Sequence, residues 1–209
     1  MEPGDRKRVS RKQSQAETRA RLLEAAGREV ARGGVAAASL RGICKAAGYS
    51  QGAFYSNFDS KDDLLLELMT RHMREEMQAL RALIAASDAA DLDSTLRRIA
   101  ERLAELSQTT EWSLLAVELQ LFAQRDAKFA ARFEAAKAAY HAEFAAALDE
   151  LVQRYRLRPA LGTLPLAIGL YALWCGFAVQ RTTIAAAPRG EMLLAFFRAV
   201  TGAASPPAI

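Results

Sequence analysis

From Glu17 almost to the C-terminus, apolar residues recur at spacings of three and four, the period of an α-helix. Leu22, Leu23, Ala26 and Val30 mark a first helix, which Gly33–Gly34 stops. Ser39 is placed to cap a second helix, Leu40–Ala47, and Gly48 suits a left-handed end to it. Ser50 caps a third, Gln51–Phe58. Ser60, with Asp63 where a capping box usually has Glu, opens a long fourth helix along Leu64, Leu68, Met69, Met73, Met77, Leu80 and Ile84. The polar run 87–93 ends it. Further helices are expected near 94–108, 112–124, 127–156, 163–184 and 190–203, with breaks at Arg158–Pro159–Ala160 and Ala187–Pro188–Arg189–Gly190. No stretch alternates with the period of a strand, and no repeat or nucleotide-binding glycine motif is present. The expectation is an all-α chain of about nine helices.

Charge divides the chain unevenly. Residues 1–58 carry a net charge of +6, whereas the whole chain carries +4. A basic N-terminal quarter on a near-neutral body calls for an anionic partner at that end, or else for a solvated charged face. Residues 1–15 lack apolar periodicity and read as a disordered basic arm. The first 30 residues hold no apolar core of a secretory signal, so the cytoplasm is the expected compartment.

Catalytic and metal chemistry find little support. Cys44 and Cys175 lie far apart and form no zinc or disulfide pattern; both read as small buried hydrophobes. His72 and His141 have no His or Cys partner at helical spacing, so no metal and no cofactor is expected. With no nucleophile–base pair and no phosphate loop, the chain does not read as an enzyme. The charge-free run from Pro159 to Gln180 is long enough to span a bilayer. Its small residues (Gly169, Ala172 and Gly176) oppose a bulky face, which favours burial against a second subunit instead.

Two short helices joined by a glycine turn, after a first helix, are spaced as a helix-turn-helix, whose second helix enters the DNA major groove. In that frame Phe54 and Phe58 face the core. Gln51, Tyr55 and Asn57 then point outward with Ser50 and Ser56 beside them. Gln and Asn side chains suit the N6 and N7 atoms of adenine. Gly52 and Ala53 let the backbone approach the bases. Lys61 is placed for a phosphate, and Arg41 for a base or a phosphate.

The stretch "SLRGICKAAGYSQGAFYSNFDSKDDLL" also resembles the DNA-binding signature of the TetR (tetracycline-repressor-like) family of transcriptional regulators. The likeness runs from Thr18 to about Leu68, takes in Ala25–Ala26 and Gly33–Gly34, and is sharpest over residues 46–64. Val30, Cys44 and Tyr49 depart mildly from the family pattern. The resemblance implies a homodimer of all-α subunits, each with an N-terminal DNA-binding domain and a C-terminal domain that binds an inducer. It carries DNA contacts over to Ser39, Arg41, Gln51, Gly52, Ala53, Tyr55, Asn57 and Lys61. Beyond residue 70 it rests on helix order and length alone.

The expected organisation is a basic arm at 1–15, a DNA-binding domain at 16–62 and a helical ligand-binding and dimerisation domain at 63–209. An apolar or aromatic effector would lie among Trp112, Phe122, Phe133, Tyr140, His141 and Trp174, near Gln180. Subunits would pair through Gly169, Ala172 and Gly176 and through the stripe Leu193, Phe196, Phe197 and Val200. The expected function is release of a repressor from palindromic double-stranded operator DNA by a small molecule. The alternative is a nucleic-acid-binding protein that uses its basic arm without sequence preference.

Overall fold

A computed structural model describes residues 3–88, 91–108, 111–180 and 189–203, and among them every regular element is a helix. There are nine: α1 (Pro3–Ala37), α2 (Leu40–Ala47), α3 (Gln51–Tyr55), α4 (Lys61–Ala85), α5 (Leu92–Gln108), α6 (Glu111–Ala123), α7 (Ala127–Arg154), α8 (Thr163–Val179) and α9 (Arg189–Thr201). The chain divides into two compact units, Met1–Met69 and Thr70–Ile209, and α4 runs through the division.

In the first unit, α1 packs on α2 and α3. Its apolar stripe, Leu22, Leu23, Ala26 and Val30, is buried together with Ile43, Cys44, Phe54, Phe58 and Leu64. α1 takes in residues 3–15, where the sequence leads one to expect a disordered arm; Arg, Lys and Gln in that region are compatible with helix. The expected stop is present as a kink. Gly34 has φ 77° and ψ 172°, a conformation open in practice only to glycine.

Local capping sets the short helices. The Ser39 hydroxyl accepts from Gly42 N at 3.0 Å and the Ser50 hydroxyl from Ala53 N at 3.2 Å. Past α2, Gly48 is left-handed at φ 77° and ψ 27°. Gly48 N donates to Lys45 O and Tyr49 N to Cys44 O, the paired bonds of a Schellman ending. Ser60 opens α4 as expected, accepting from Asp63 N at 3.0 Å. α3 ends at Tyr55, three residues before the end expected from its pattern. Asn57 N and Phe58 N both turn back to Phe54 O, tightening the last turn.

In the second unit, α7 packs against α6 and α8, and α9 against α5 and α8. Ile84, Leu96, Leu148, Leu151, Leu166, Leu170, Phe177, Leu193 and Phe197 share one core. Asp126 caps α7 by accepting from Phe129 N at 2.9 Å. The Tyr155 hydroxyl, past the end of α7, lies 2.6 Å from Thr95 Oγ1 and donates to Asp88 O at 2.8 Å. This ties the α4–α5 corner to α7. The expected continuation of α8 to residue 184 lies outside the described residues, as does part of the break before α9. No helix among the described residues is long and apolar enough to cross a membrane.

Gly34 and Gly48 separate backbone strain from crowding, because a Cβ built on either meets nothing within 4 Å. Gly48→Ala should cost about 1–2 kcal/mol for the left-handed site. Gly34→Ala should cost about 1–3 kcal/mol and exceed Gly48→Ala, because its ψ lies outside the left-handed helical region. Urea unfolding followed by circular dichroism measures both; equal costs would contradict the ranking.

Candidate nucleic-acid interface and ligand cleft

α2 and α3, joined through the Gly48 turn, form a helix-turn-helix. Phe54 is fully buried and stacks on Phe58, with ring centroids 5.5 Å apart. Anchoring this face turns the opposite one to solvent. Arg41, Gln51, Gly52 and Ser56 are exposed, and the Tyr55 side of the helix is open as well, that residue being 57% exposed. Ala53 and Lys61 are half-buried. Ser39 and Ser50 are exposed, but each hydroxyl is engaged as a helix cap, so their first role is to shape the ends of α2 and α3. The Ser56 hydroxyl donates to Gly52 O at 3.0 Å.

Asn57 differs from its expected role as an adenine reader. Its Nδ2 donates to Ala53 O at 2.8 Å, and its Oδ1 is buried. The Nδ2 group thus closes the last turn of α3, while Oδ1 is buried without a hydrogen-bond partner. Among the proposed readers, Gln51 and Arg41 keep exposed polar ends on the helix-turn-helix.

A residue that sequence reading missed holds this arrangement. Arg19 of α1 donates from Nε to Glu67 Oε1 of α4 at 2.9 Å, and from Nη2 to Glu67 Oε2. Its Nη1 donates to Asn57 O, and its guanidinium lies 4.1 Å from the Phe58 ring centroid. One side chain therefore joins α1, the end of α3 and α4. Its planar fork suits a carboxylate and a ring face together. The partners lie 38 and 48 residues away, so no local pattern announces them.

In the second unit, α6, α7 and α8 enclose a cleft of about 460 Å³, within the range of small-molecule sites. Val117, Leu121, Phe133, Ile168 and Ala172 supply apolar walls, with Gln120, Lys137, His141, Tyr171 and Cys175 as the polar lining. Of the residues expected to line an effector site, Phe133 and His141 are here. The others are placed elsewhere. Trp112 stacks on His72 with centroids 4.1 Å apart. Phe122 meets Phe129 edge-on, and Trp174 packs partly buried against the core. Tyr140 does not line the cleft, although its ring packs edge-on against Tyr171, 5.3 Å away.

Burial shapes the titrating groups. Desolvation lowers the pKa of His141, and nearby Lys137 lowers it further, with Glu134 opposing. Desolvation raises Tyr171 and Cys175, although a hydrogen bond from Tyr171 works against the rise at Cys175. The Cys175 thiol is therefore held protonated, contrary to what a reactive thiol needs. Among the described residues no group of three or more His, Cys, Asp or Glu side chains could hold a metal ion.

The expected pairing face divides in two. Gly169 and Ala172 are exposed, and a Cβ added at Gly169 or Gly176 meets nothing within 4 Å. On α9, Phe196 is 47% exposed, but Leu193 and Phe197 are buried in the chain's own core and Val200 packs against it. Leu193 and Phe197 belong to the subunit interior and half-buried Val200 to its edge, because α9 needs one face for α5 and α8.

Arg19→Ala should lower stability by about 1–2 kcal/mol, since it removes a partly exposed fork, a hydrogen bond and a ring contact. Arg19→Lys should recover less than half, lacking the fork. Thermal unfolding tests this; full rescue by Lys would show that charge alone matters.

Residues 22–68 match the family model described as bacterial regulatory proteins, tetR family. No curated protein matches the chain as a relative. Among solved structures, a transcriptional regulator from Rhodococcus sp. RHA1 superposes with a TM-score of 0.74 at 17% identity, covering 90% of this chain and 97% of that one. Escherichia coli NemR in its reduced form gives 0.67 at 21% identity, covering 90% and 99%. Bacillus subtilis FadR, in complex with stearoyl-CoA, gives 0.63 at 16%, covering 88% and 98%. At these identities the likeness speaks for the fold, and the motif within residues 22–68 speaks for the family. Regulators of that family work by binding DNA, not by catalysis. Residues 22–68, which hold the helix-turn-helix, are thus a DNA-binding domain of the tetR family of bacterial regulatory proteins, and the fold along most of the chain is one that solved transcriptional regulators share.

Proposed function

We propose that the chain is a cytoplasmic repressor that binds a palindromic operator as a homodimer and is released by a small apolar or aromatic molecule. The DNA-binding domain is assigned to 16–62, preceded by the basic arm at 1–15, and the ligand-binding and pairing domain to 63–209. The observation that carries the effector reading is the apolar cleft of α6, α7 and α8, in a unit separate from the helix-turn-helix. FadR of Bacillus subtilis, with the same fold, was solved in complex with stearoyl-CoA, a precedent for a ligand with an apolar chain.

Pairing is supported by the apolar residues α8 leaves in solvent. Leu164, Ile168 and Val179 are all exposed, as is Phe196 of α9. Two-fold pairing of one such face with itself presents two copies of α3 to a two-fold operator. α4 links the effector reading to the DNA. It begins at Lys61, and its later turns carry residues of the second unit's core. A ligand that prefers one pairing arrangement shifts the spacing of the two α3 helices, by no more than its differential affinity allows.

Selection of sites from random duplex DNA tests the whole reading. A palindromic consensus is expected, and a featureless pool would favour binding through the basic arm alone. Gln51→Ala should then relax preference at one base position, costing about 1–3 kcal/mol if its contact is bidentate. Lys61→Ala should weaken all sequences alike and lower the salt slope by about one unit. Asn57→Ala should likewise leave the consensus unchanged, since its Nδ2 is bonded within α3; a shifted consensus would restore it as a reader.

Gly169→Trp tests pairing. Its side chain starts into open space, so the subunit should fold as before. Sedimentation is expected to show a dimer for the wild type and a monomer for the variant. A wild-type monomer at micromolar concentration would refute the pairing.

A further inference from the structure

We propose that Glu67, an acid of α4, is a positioning residue for DNA reading: it orients Arg19 so that α1 holds the exit of α3, and the operator is bound more tightly for it. The assignment rests on the operator reading above for its effect on DNA. It gives an acidic residue a part in binding a polyanion, which its own charge opposes.

The exit of α3 is held from α1 at consecutive carbonyls. Gln15 and Arg19 stand one turn apart on α1, the spacing at which helix side chains are neighbours. Gln15 Nε2 donates to Ser56 O at 3.4 Å, and Arg19 Nη1 donates to Asn57 O. Ser56 and Asn57 are also the residues that close α3. Ser56 N donates to Gly52 O at 3.1 Å, and Asn57 N to Phe54 O at 2.8 Å. Holding their carbonyls therefore holds the last turn of a helix only five residues long. That turn carries Tyr55, and Gln51 lies one turn before it.

Glu67 sets where the Arg19 fork points. Its two oxygens take Nε and Nη2, one edge of the guanidinium, and leave Nη1 for Asn57 O. The same group lies over the Phe58 ring, 4.1 Å from its centroid. A planar group fixed along one edge and across one face has a single orientation. Without the carboxylate, Arg19 keeps its charge, but a long and partly exposed side chain regains its rotamers. The bond to Asn57 O is then one option among several. Phosphate repels a carboxylate, so any help Glu67 gives to DNA binding passes through the residues it holds.

The test uses the full chain with two duplexes, the consensus selected by the wild type and a random sequence of equal length. Glu67→Gln removes the charge with little change of shape. Glu75→Gln removes the same charge from the same helix, where its partner is Arg71 of α4 itself. If charge alone mattered, both variants would bind both duplexes more tightly. Positioning predicts that Glu67→Gln binds the consensus about fivefold more weakly and the random duplex no more weakly than the wild type. Glu75→Gln should keep the wild-type ratio. Arg19→Lys should act on the consensus as Glu67→Gln does, and the double variant should lose no more than the worse single, because both break one link. Amide exchange in the DNA-free protein reads the positioning directly. In Glu67→Gln the Ser56, Asn57 and Phe58 amides should exchange at least about threefold faster relative to those of Gly48 and Tyr49, a ratio that a general loss of stability leaves unchanged. Consensus affinity at or above the wild type, an equal loss on both duplexes, or unchanged relative exchange at 56–58 would each overturn the assignment. A featureless pool from the wild type would refute the operator reading instead, and the exchange rates would still decide whether Glu67 positions α3.

Discussion

α3 has five residues, far fewer than an isolated helix needs to persist in water. Its existence depends on what surrounds it. Phe54 and Phe58 are buried, Ser50 closes one end, and Ser56 and Asn57 bond back over the other. Arg19 then fixes the exit of α3 to α1 and α4 through the Asn57 carbonyl and Glu67. The orientation of Gln51 and Tyr55 follows from burial on the opposite face. DNA reading in this chain is thus a product of packing as much as of the exposed residues themselves.

Much of this was legible because capping is local. Ser39, Ser50 and Ser60 each bond to an amide three residues on, and Gly48 sits one step past a helix end. Such signals lie within one turn of the chain, so a short window contains both partners. Arg19 was illegible for the opposite reason: its carboxylate and carbonyl partners are brought to it by folding. The stacking of His72 on Trp112, 40 residues apart, was hidden in the same way.

Two expectations show where pattern stops short of placement. Asn is apt both for adenine and for closing a helix end, and without DNA its Nδ2 is in the second use, bonded to Ala53 O. On α9, Leu193, Phe196, Phe197 and Val200 form one apolar stripe, yet the subunit's own core takes Leu193 and Phe197, has Val200 at its edge and leaves Phe196 in solvent. Periodicity tells that a face is apolar; it carries no information about which body covers it. The same limit separates Phe133 and His141, which reach the cleft, from Trp112 and Phe122, which do not.

The closed ends of α3 bear on how quickly a sequence can be read. A reading helix that had to form on the DNA would spend about 0.1–1 μs on helix formation at each site visited. Here the turn is already bonded at both ends, and what remains to adjust is the rotation of exposed side chains such as Gln51 and Tyr55. Exposed rotamers exchange in picoseconds to nanoseconds. Side chains held on such a turn meet a base edge without a folding step beforehand.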